Sequence, residues 1–325
     1  MAPQSYYLGG KIRASDFNGF ADDINEIVGL GAGDSGYGQN QLMVSYVASG
    51  AKIKAANWDE LLTSMKFAAQ HQGTPIGVPT NTSHADFPAL SKVIKIIPTL
   101  LNDITNIRGN KLNSDIAYMS LDSNKISSSK TFVEPGNTGN YWNATVNPQY
   151  YTFRTTFADA DARRNFFNAG GEIRISCDLS GYDASHAQNT NWNDLFESVS
   201  TIKMSHIETV SSNGVGIPYA GFKDLTNSYQ VVYQKGGTGD YVANQLKVSA
   251  KLDGTTGIDI KVEFDDGHLA DTGSWSNDGG GTWTGEDYVD GTLSVTIDQL
   301  RADDNDASNL GVVSTTPTYS HISEL

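Results

Sequence analysis

The sequence predicts an α+β chain, with a small N-terminal helical module followed by an antiparallel β-sandwich domain. Three observations carry this expectation. An internal repeat near the N-terminus runs at helical spacing, short apolar–polar alternations fill the second half, and a Ser/Asn/Gly-rich stretch without periodicity separates the two. The expected organisation is a helical module over residues 1–112, a linker over 113–140 and a β-sandwich over 141–325.

The repeat pairs KIRASDFNGFADDI at 11–24 with KIKAANWDELLTSM at 52–65, a period of 41 residues. Lys-Ile-basic-Ala recurs, then Asp16 or Asn57, then an aromatic, Phe17 or Trp58. Phe17, Phe20, Ala21, Ile24, Ile27 and Val28 fall at helical spacing, as do Trp58, Leu61, Leu62, Met65 and Ala69. Gly29 and Gly31 end the first helix as left-handed caps would, and Gly73 follows the second. Neither helix is stable alone, so the two are expected to pack as a pair. A third helical stretch starts near Phe87, with Leu90, Ile94, Ile97, Leu101 and Ile104 at spacings of four and three. That stripe reads either as a helix packed on the first two or as an oligomer seam. Pro98 predicts a kink or a break within it.

The stretch 113–140 holds at most one strand, at 130–134. Beyond Tyr141, strands are expected at 150–155, 172–179, 201–208, 228–234, 245–252, 257–264 and 292–297. Short helices are expected at 159–167 and 193–199. A two-layer antiparallel sandwich accommodates this many short strands.

Hydrophobic residues make up 38% and charged residues 18%, with aromatics at 10%, a profile that fits β-rich structure with long loops and excludes disorder. Net charge is −15 and the pI is near 4.6, and 22 Lys and Arg are spread over the whole chain. Nucleic-acid backbones require clustered cations, so no nucleic-acid partner is expected. No segment approaches a membrane span and the N-terminus lacks a secretory pattern, so no membrane insertion and synthesis in a reducing cytoplasm are expected. The lone Cys177 alternates with Ile173, Ile175 and Leu179 and reads as a small core residue.

Three motifs fail on context. Gly31 to Gly36 matches GxGxxG, but a helix precedes it where a dinucleotide site needs a strand. Gly33-Asp34-Ser35-Gly36 echoes a serine-protease loop, yet Ser35 precedes all six histidines. Asp265-Asp266, Asp287, Asp290 and Asp303 to Asp306 lie in loops and match no calcium pattern. The six histidines show no paired ligand spacing. The expectation is a chain that is not an enzyme, with no catalytic residues, no metal and no cofactor. Residues 265–290 carry one alternative. Trp275 and Trp283 with Asp266 and His268 form the kind of loop that stacks on sugar rings, against the plainer reading that both tryptophans fold onto the core.

Several phrases resemble tailed-bacteriophage virion proteins. These are Gly33-Asp34-Ser35-Gly36-Tyr37-Gly38-Gln39, Ala56-Asn57-Trp58, His71-Gln72-Gly73-Thr74, the run from Arg164 to Arg174, and Asp287-Tyr288-Val289-Asp290-Gly291-Thr292-Leu293. They stand in this order across roughly residues 10–300. The resemblance implies a tail, baseplate or neck (collar) fibre-type component of a large phage, located in the virion. It implies partners among other virion proteins and further copies of the chain, with a trimer the expected state, and it transfers no catalytic residue. A host surface glycan is the partner implied by the alternative reading.

Overall fold

The computed structural model describes residues 12–31, 35–78, 90–134, 137–143, 148–268, 272–275, 281–284, 288–303 and 317–324. Among them the chain forms five α-helices, mostly N-terminal, and two antiparallel sheets, the α+β sandwich architecture that the sequence predicts. Two compact units divide it, and neither is continuous. The first comprises Met1–Ser120, Asp161–Gly171 and Arg301–Thr315; the second comprises Leu121–Ala160, Glu172–Leu300 and Thr316–Leu325.

In the first unit the two repeat copies become α1 (Ala14–Val28) and α2 (Ala55–Gln72). Each starts the same way. Arg13 N–H donates to the Asp16 carboxylate at 2.8 Å, and Lys54 N–H donates to Asn57 Oδ1 at 2.9 Å, so one free backbone donor at each helix start is satisfied. The paired aromatics then meet. Phe17 and Trp58 pack edge to face at 5.3 Å, with Phe20 at 6.3 Å from the same indole. Gly73 ends α2 in the left-handed region (φ 67°), as expected. Gly29 does not, with φ at −81°; Gly31 (φ 75°) is the left-handed residue after α1.

α3 (Leu90–Gly109) runs through Pro98 without interruption. Pro98 lies on the exposed side, where water can hydrate the carbonyl that the ring leaves unpaired. Ile97, Leu100, Ile104 and Ile107 are fully buried against α1 and α2, and Leu101 is partly so. The self-association reading of this stripe is therefore corrected at Ile97, Leu101 and Ile104, which pack into the core of their own unit. The side chains of Leu90 and Ile94 lie outside the described residues.

An extended segment, residues 43–48, runs beside α1 and pairs with no strand among the described residues. Two asparagines seven residues apart on α1 take the place of a strand. Asn25 Nδ2 donates to Val44 O (3.0 Å) while Val44 N–H donates back to Asn25 Oδ1 (2.7 Å). Asn18 makes the same double bond with Val47, at 3.0 and 2.8 Å.

The second unit holds the strands β1 (Met119–Phe132), β2 (Gln149–Thr156), β3 (Glu172–Ser180), β4 (Thr201–Met204), β5 (Thr209–Ser211), β6 (Ile217–Pro218), β7 (Gln230–Gly236), β8 (Gln245–Asp253), β9 (Gly257–Asp265), β10 (Thr272–Trp275), β11 (Gly281–Thr284), β12 (Gly291–Ala302) and β13 (Thr318–Glu324). One sheet runs β1-β12-β3-β4-β5 and the other β13-β2-β9-β8-β7-β6, with β10-β11 a separate ribbon. Alternation builds the interior. Ile258, Ile260, Val262 and Phe264 of β9 are fully buried, as are Leu293, Val295 and Ile297 of β12. The Tyr151 hydroxyl of β2 donates to Leu293 O at 3.1 Å, tying the two sheets together. Helix α5 (Ala187–Val199) packs on β3 and β7 and wedges Trp192 against Trp142 (4.8 Å) and Phe264 (6.2 Å). The short α4 (Ala160–Asn168) falls almost wholly in the first unit.

Two expectations change. Half of the predicted linker is β1, a fourteen-residue strand at the edge of its sheet. An edge strand with solvent on one side carries little apolar alternation, so Ser, Asn and Lys hide it. The strand expected at 201–208 stops at Met204, turns through a Ser205 N–H to Glu208 O bond of 3.0 Å, and resumes as β5.

Replacing Asn25 by Leu leaves the Val44 N–H and C=O without partners in a buried place and should lower unfolding free energy by about 3 kcal/mol. Urea unfolding measures it. Asn18→Ala, at a less buried site, should cost clearly less, and equal stability of Asn25→Leu and the parent would dismiss the clasp.

Candidate functional site

Three of the phrases quoted above converge in the first unit. The residues after α1 fold back on its last turn, with Tyr37 N–H donating to Ile27 O (2.9 Å), Gly38 N–H to Gly29 O (2.8 Å) and Gln39 N–H to Val28 O (2.6 Å). These bonds satisfy the carbonyls that a helix C-terminus leaves free. Gly38 sits at φ 72°, and a Cβ there would fall 2.0 Å from Asn165 Nδ2, so only glycine fits. The loop delivers Tyr37 into the interior. Its hydroxyl accepts from Gln72 Nε2 at 2.8 Å, and its ring meets His71 edge to face at 5.3 Å. The third phrase closes the site from α4. Asn168 Nδ2 donates to Gly36 O at 2.9 Å, and His71 Nε2 lies 3.0 Å from Ala169 O.

The electrostatics follow from burial. A carbonyl only accepts, so His71 carries its proton on Nε2, and Nδ1 is buried without a partner. Desolvation lowers the His71 pKa to about 4, although the Ala169 carbonyl and the Asp115 carboxylate favour the charged form. Burial pushes the Tyr37 phenol well above its ordinary range. A neutral imidazole beside a neutral phenol is an acid–base pair in composition only. Both side chains are fully buried, so no substrate in solution reaches them.

The last phrase plays the same part in the second unit. Asp290 Oδ1 accepts from Asn189 Nδ2 (2.6 Å) and from Asp183 N–H (2.9 Å), while Asn189 Oδ1 accepts from Asp290 N–H (3.1 Å). Val289 N–H donates to Trp142 O at 2.8 Å. Residues 288–290 thereby fasten the start of α5 to the strand that follows them.

The predicted sugar-contact residues are placed unequally. Asp266 is buried, at 1% exposure, so the expectation that it contacts a glycan is corrected: the chain has already turned its carboxylate inward. His268 is partly buried, its ring 4.5 Å from that of Tyr241, and its N–H donates to Asn244 Oδ1 at 3.1 Å. Trp275 and Trp283 lie on the β10–β11 ribbon, paired with Gly281 and Gly273, and their side chains are outside the described residues. That register puts the two positions on one face of the ribbon. Ser35, the residue of the protease-like loop, accepts from Lys111 Nζ at 2.8 Å. Among the described residues no cluster of His, Cys, Asp and Glu suits a metal, and no helix is long and apolar enough to cross a membrane.

One cavity formed by the described residues was not foreseen. It is a half-open groove of about 910 Å³ between the two repeat starts, lined by Ile12, Arg13, Lys52, Ile53, Val47 and Trp58 among others. The repeat itself was its only signal in the sequence. No protein-family model matches the chain, and no curated protein and no solved structure shows significant similarity to it.

His71 makes stability depend on pH in a stated direction. Its folded pKa lies below the ordinary 6.5, so the unfolded chain binds the proton more readily between about pH 4 and 6.5. The contribution is complete above that window and is lost as pH falls through it, by about 3 kcal/mol. Urea midpoints across the window, compared between the parent and His71→Gln, isolate this part of the slope. Parallel slopes would mean that His71 is not buried neutral.

Proposed function

We propose that this chain is a structural component of a tailed-phage particle, of the tail, baseplate or neck, which acts by assembling with itself and with other virion proteins. The observation that carries the reading is the use made of the described residues of the resembling phrases. Tyr37, Gly38, Asn57, Trp58, His71, Gln72, Asn168 and Asp290 all cap, pack or tie segments of their own chain. A part whose distinctive residues hold shape suits a particle that works by its geometry.

Self-assembly is also favoured by the outward face of the six-stranded sheet. Arg154 and Lys251 bracket the Asp259 carboxylate at 2.7 and 3.3 Å, and Lys247 reaches Asp265 at 2.9 Å. Lys261 pairs with Glu263. This face is locally balanced, whereas the chain as a whole carries −15. At its β6–β7 edge stand Ile217, Tyr219, Tyr229 and Val231, all exposed, on the side where Ile217 pairs with Gln234 and Val231 with Ser249. An apolar strip bordering a neutral face can meet a second copy without long-range repulsion.

Light scattering after size exclusion tests the reading. A closed oligomer, with the trimer expected, should appear, and Tyr219→Glu with Val231→Glu should shift it toward monomer. A parent that stays monomeric at its highest soluble concentration would sink self-assembly.

The second reading, a sugar-binding module, is favoured by one observation, the shared face of positions 275 and 283. It predicts that Trp275→Ala with Trp283→Ala abolishes binding on a glycan array while thermal unfolding stays unchanged. Binding that survives both substitutions would discard it.

A further inference from the structure

The internal repeat explains more residues than the core uses. Phe17 and Trp58 pack together, and Asp16 and Asn57 cap their helices, so half of each repeat start is accounted for by folding. In the recurring Lys-Ile-basic-Ala, Ile12, Ala14 and Ile53 also pack against the core, but the basic positions are not explained in that way. Arg13, Lys52 and Lys54 are exposed, and none of them forms an ion pair among the described residues. Two of these side chains, Arg13 and Lys52, stand together at one cavity, although the chain carries 37 acidic residues against 22 cations.

The two copies bring Arg13 and Lys52 to the walls of the groove. Arg13 and Lys52 are the charged residues of its lining, and no carboxylate lines it among the described residues. The floor is apolar, with Val47 and Trp58 buried and Ile12 and Ile53 half-buried. A cationic rim over an apolar floor matches an acidic segment that carries an aromatic or aliphatic anchor. The size is right for it, since about 910 Å³ falls within the range that holds a ligand or a few peptide side chains.

We propose that the groove between the repeat starts docks an acidic, apolar-anchored segment of a partner virion protein. The inference rests on the assembly reading and deepens it, because it names the surface by which the helical unit joins another component. The basic side chains steer the acidic segment, and Trp58 and the two isoleucines hold its anchor.

The probe is a random copolymer of glutamate and tyrosine, titrated against the full-length protein with fluorescence anisotropy as the readout. Binding is expected to weaken as salt rises and to fall about tenfold in the double variant Arg13→Glu, Lys52→Glu. Polyglutamate without tyrosine should bind about tenfold more weakly than the copolymer, since the floor is then unused. Both exposed substitutions should leave the thermal midpoint and the light-scattering mass at parent values, so failure here is distinguishable from failure of self-assembly. Undiminished binding by the double variant overturns the proposal. Equal binding of polyglutamate overturns it as well, because that outcome describes a general attraction for polyanions. A parent that binds only after Tyr6, Tyr7 and Leu8 are replaced by Ser would assign the groove to the chain's own N-terminal segment, and would also overturn it.

Discussion

Buried backbone that belongs to no helix or ladder must still find hydrogen-bond partners, and asparagine supplies them throughout this chain. A side-chain amide offers a C=O and an NH2, so its oxygen and one of its two N–H groups can stand in for the pair that a neighbouring strand residue offers. Asn18 and Asn25 use both halves on Val47 and Val44. Asn168 holds Gly36, Asn189 holds Asp183 and Asp290, and Asn244 accepts from both Gly267 and His268. Asn25, Asn168, Asn189 and Asn244 are all buried. Leaving such a donor or acceptor unpaired costs about 1–3 kcal/mol, comparable with burying an aliphatic side chain. A chain that is only 38% hydrophobic and rich in loops therefore depends on these ties as much as on its core.

The cores supply the other half of the balance, and each unit packs aromatic rings together at its centre. In the first, Phe17 packs with Trp58; in the second, Trp142, Trp192 and Phe264 form a closed set. The indole nitrogens of Trp142 and Trp192 are buried without acceptors, at about 1–3 kcal/mol each. Burying a ring of about 200 Å² contributes about 5 kcal/mol, so packing wins and the tryptophans stay inside. The same arithmetic explains why α5 lies against the strands: its amphipathic face carries Trp192, Leu195, Phe196 and Val199, and no smaller surface would cover them.

Legibility in the sequence followed the range of the interaction. Helical spacing placed α1, α2 and most of α3, and period-two alternation placed β2, β3, β8, β9 and β12, because these signals lie within a few residues of one another. The strand β1 was missed because an edge strand need not alternate, and β6 because two residues carry no period. The buried ties were invisible for a stronger reason. Asn168 reaches Gly36 across 132 residues and His71 reaches Ala169 across 98, while asparagine and glycine in a loop read locally as turn formers. Composition and motif context argued against familiar catalytic sites, yet nothing local marked Asp266 as buried or the repeat starts as the walls of a groove.

The placement of reactive groups bears on what kind of work the chain does. His71 and Tyr37 are enclosed, and desolvation raises the thiol pKa of Cys177, a half-buried residue paired with Val295. The carboxylate of Asp259 is covered by Arg154 and Lys251. Chemistry on an outside molecule needs such groups at a reachable surface, with environments that drive their pKa values apart at that surface. Here the strong perturbations are consequences of folding, and below about pH 6.5 proton uptake favours any opening that exposes His71. Charge acts in the same sense. At physiological salt, charges more than about 8 Å apart are largely screened, while strands about 4.8 Å apart let neighbouring ions cancel at close range. Two copies of a chain carrying −15 therefore meet least opposition through the face where Arg154, Lys247, Lys251 and Lys261 stand between carboxylates, and most opposition wherever acids lack that company.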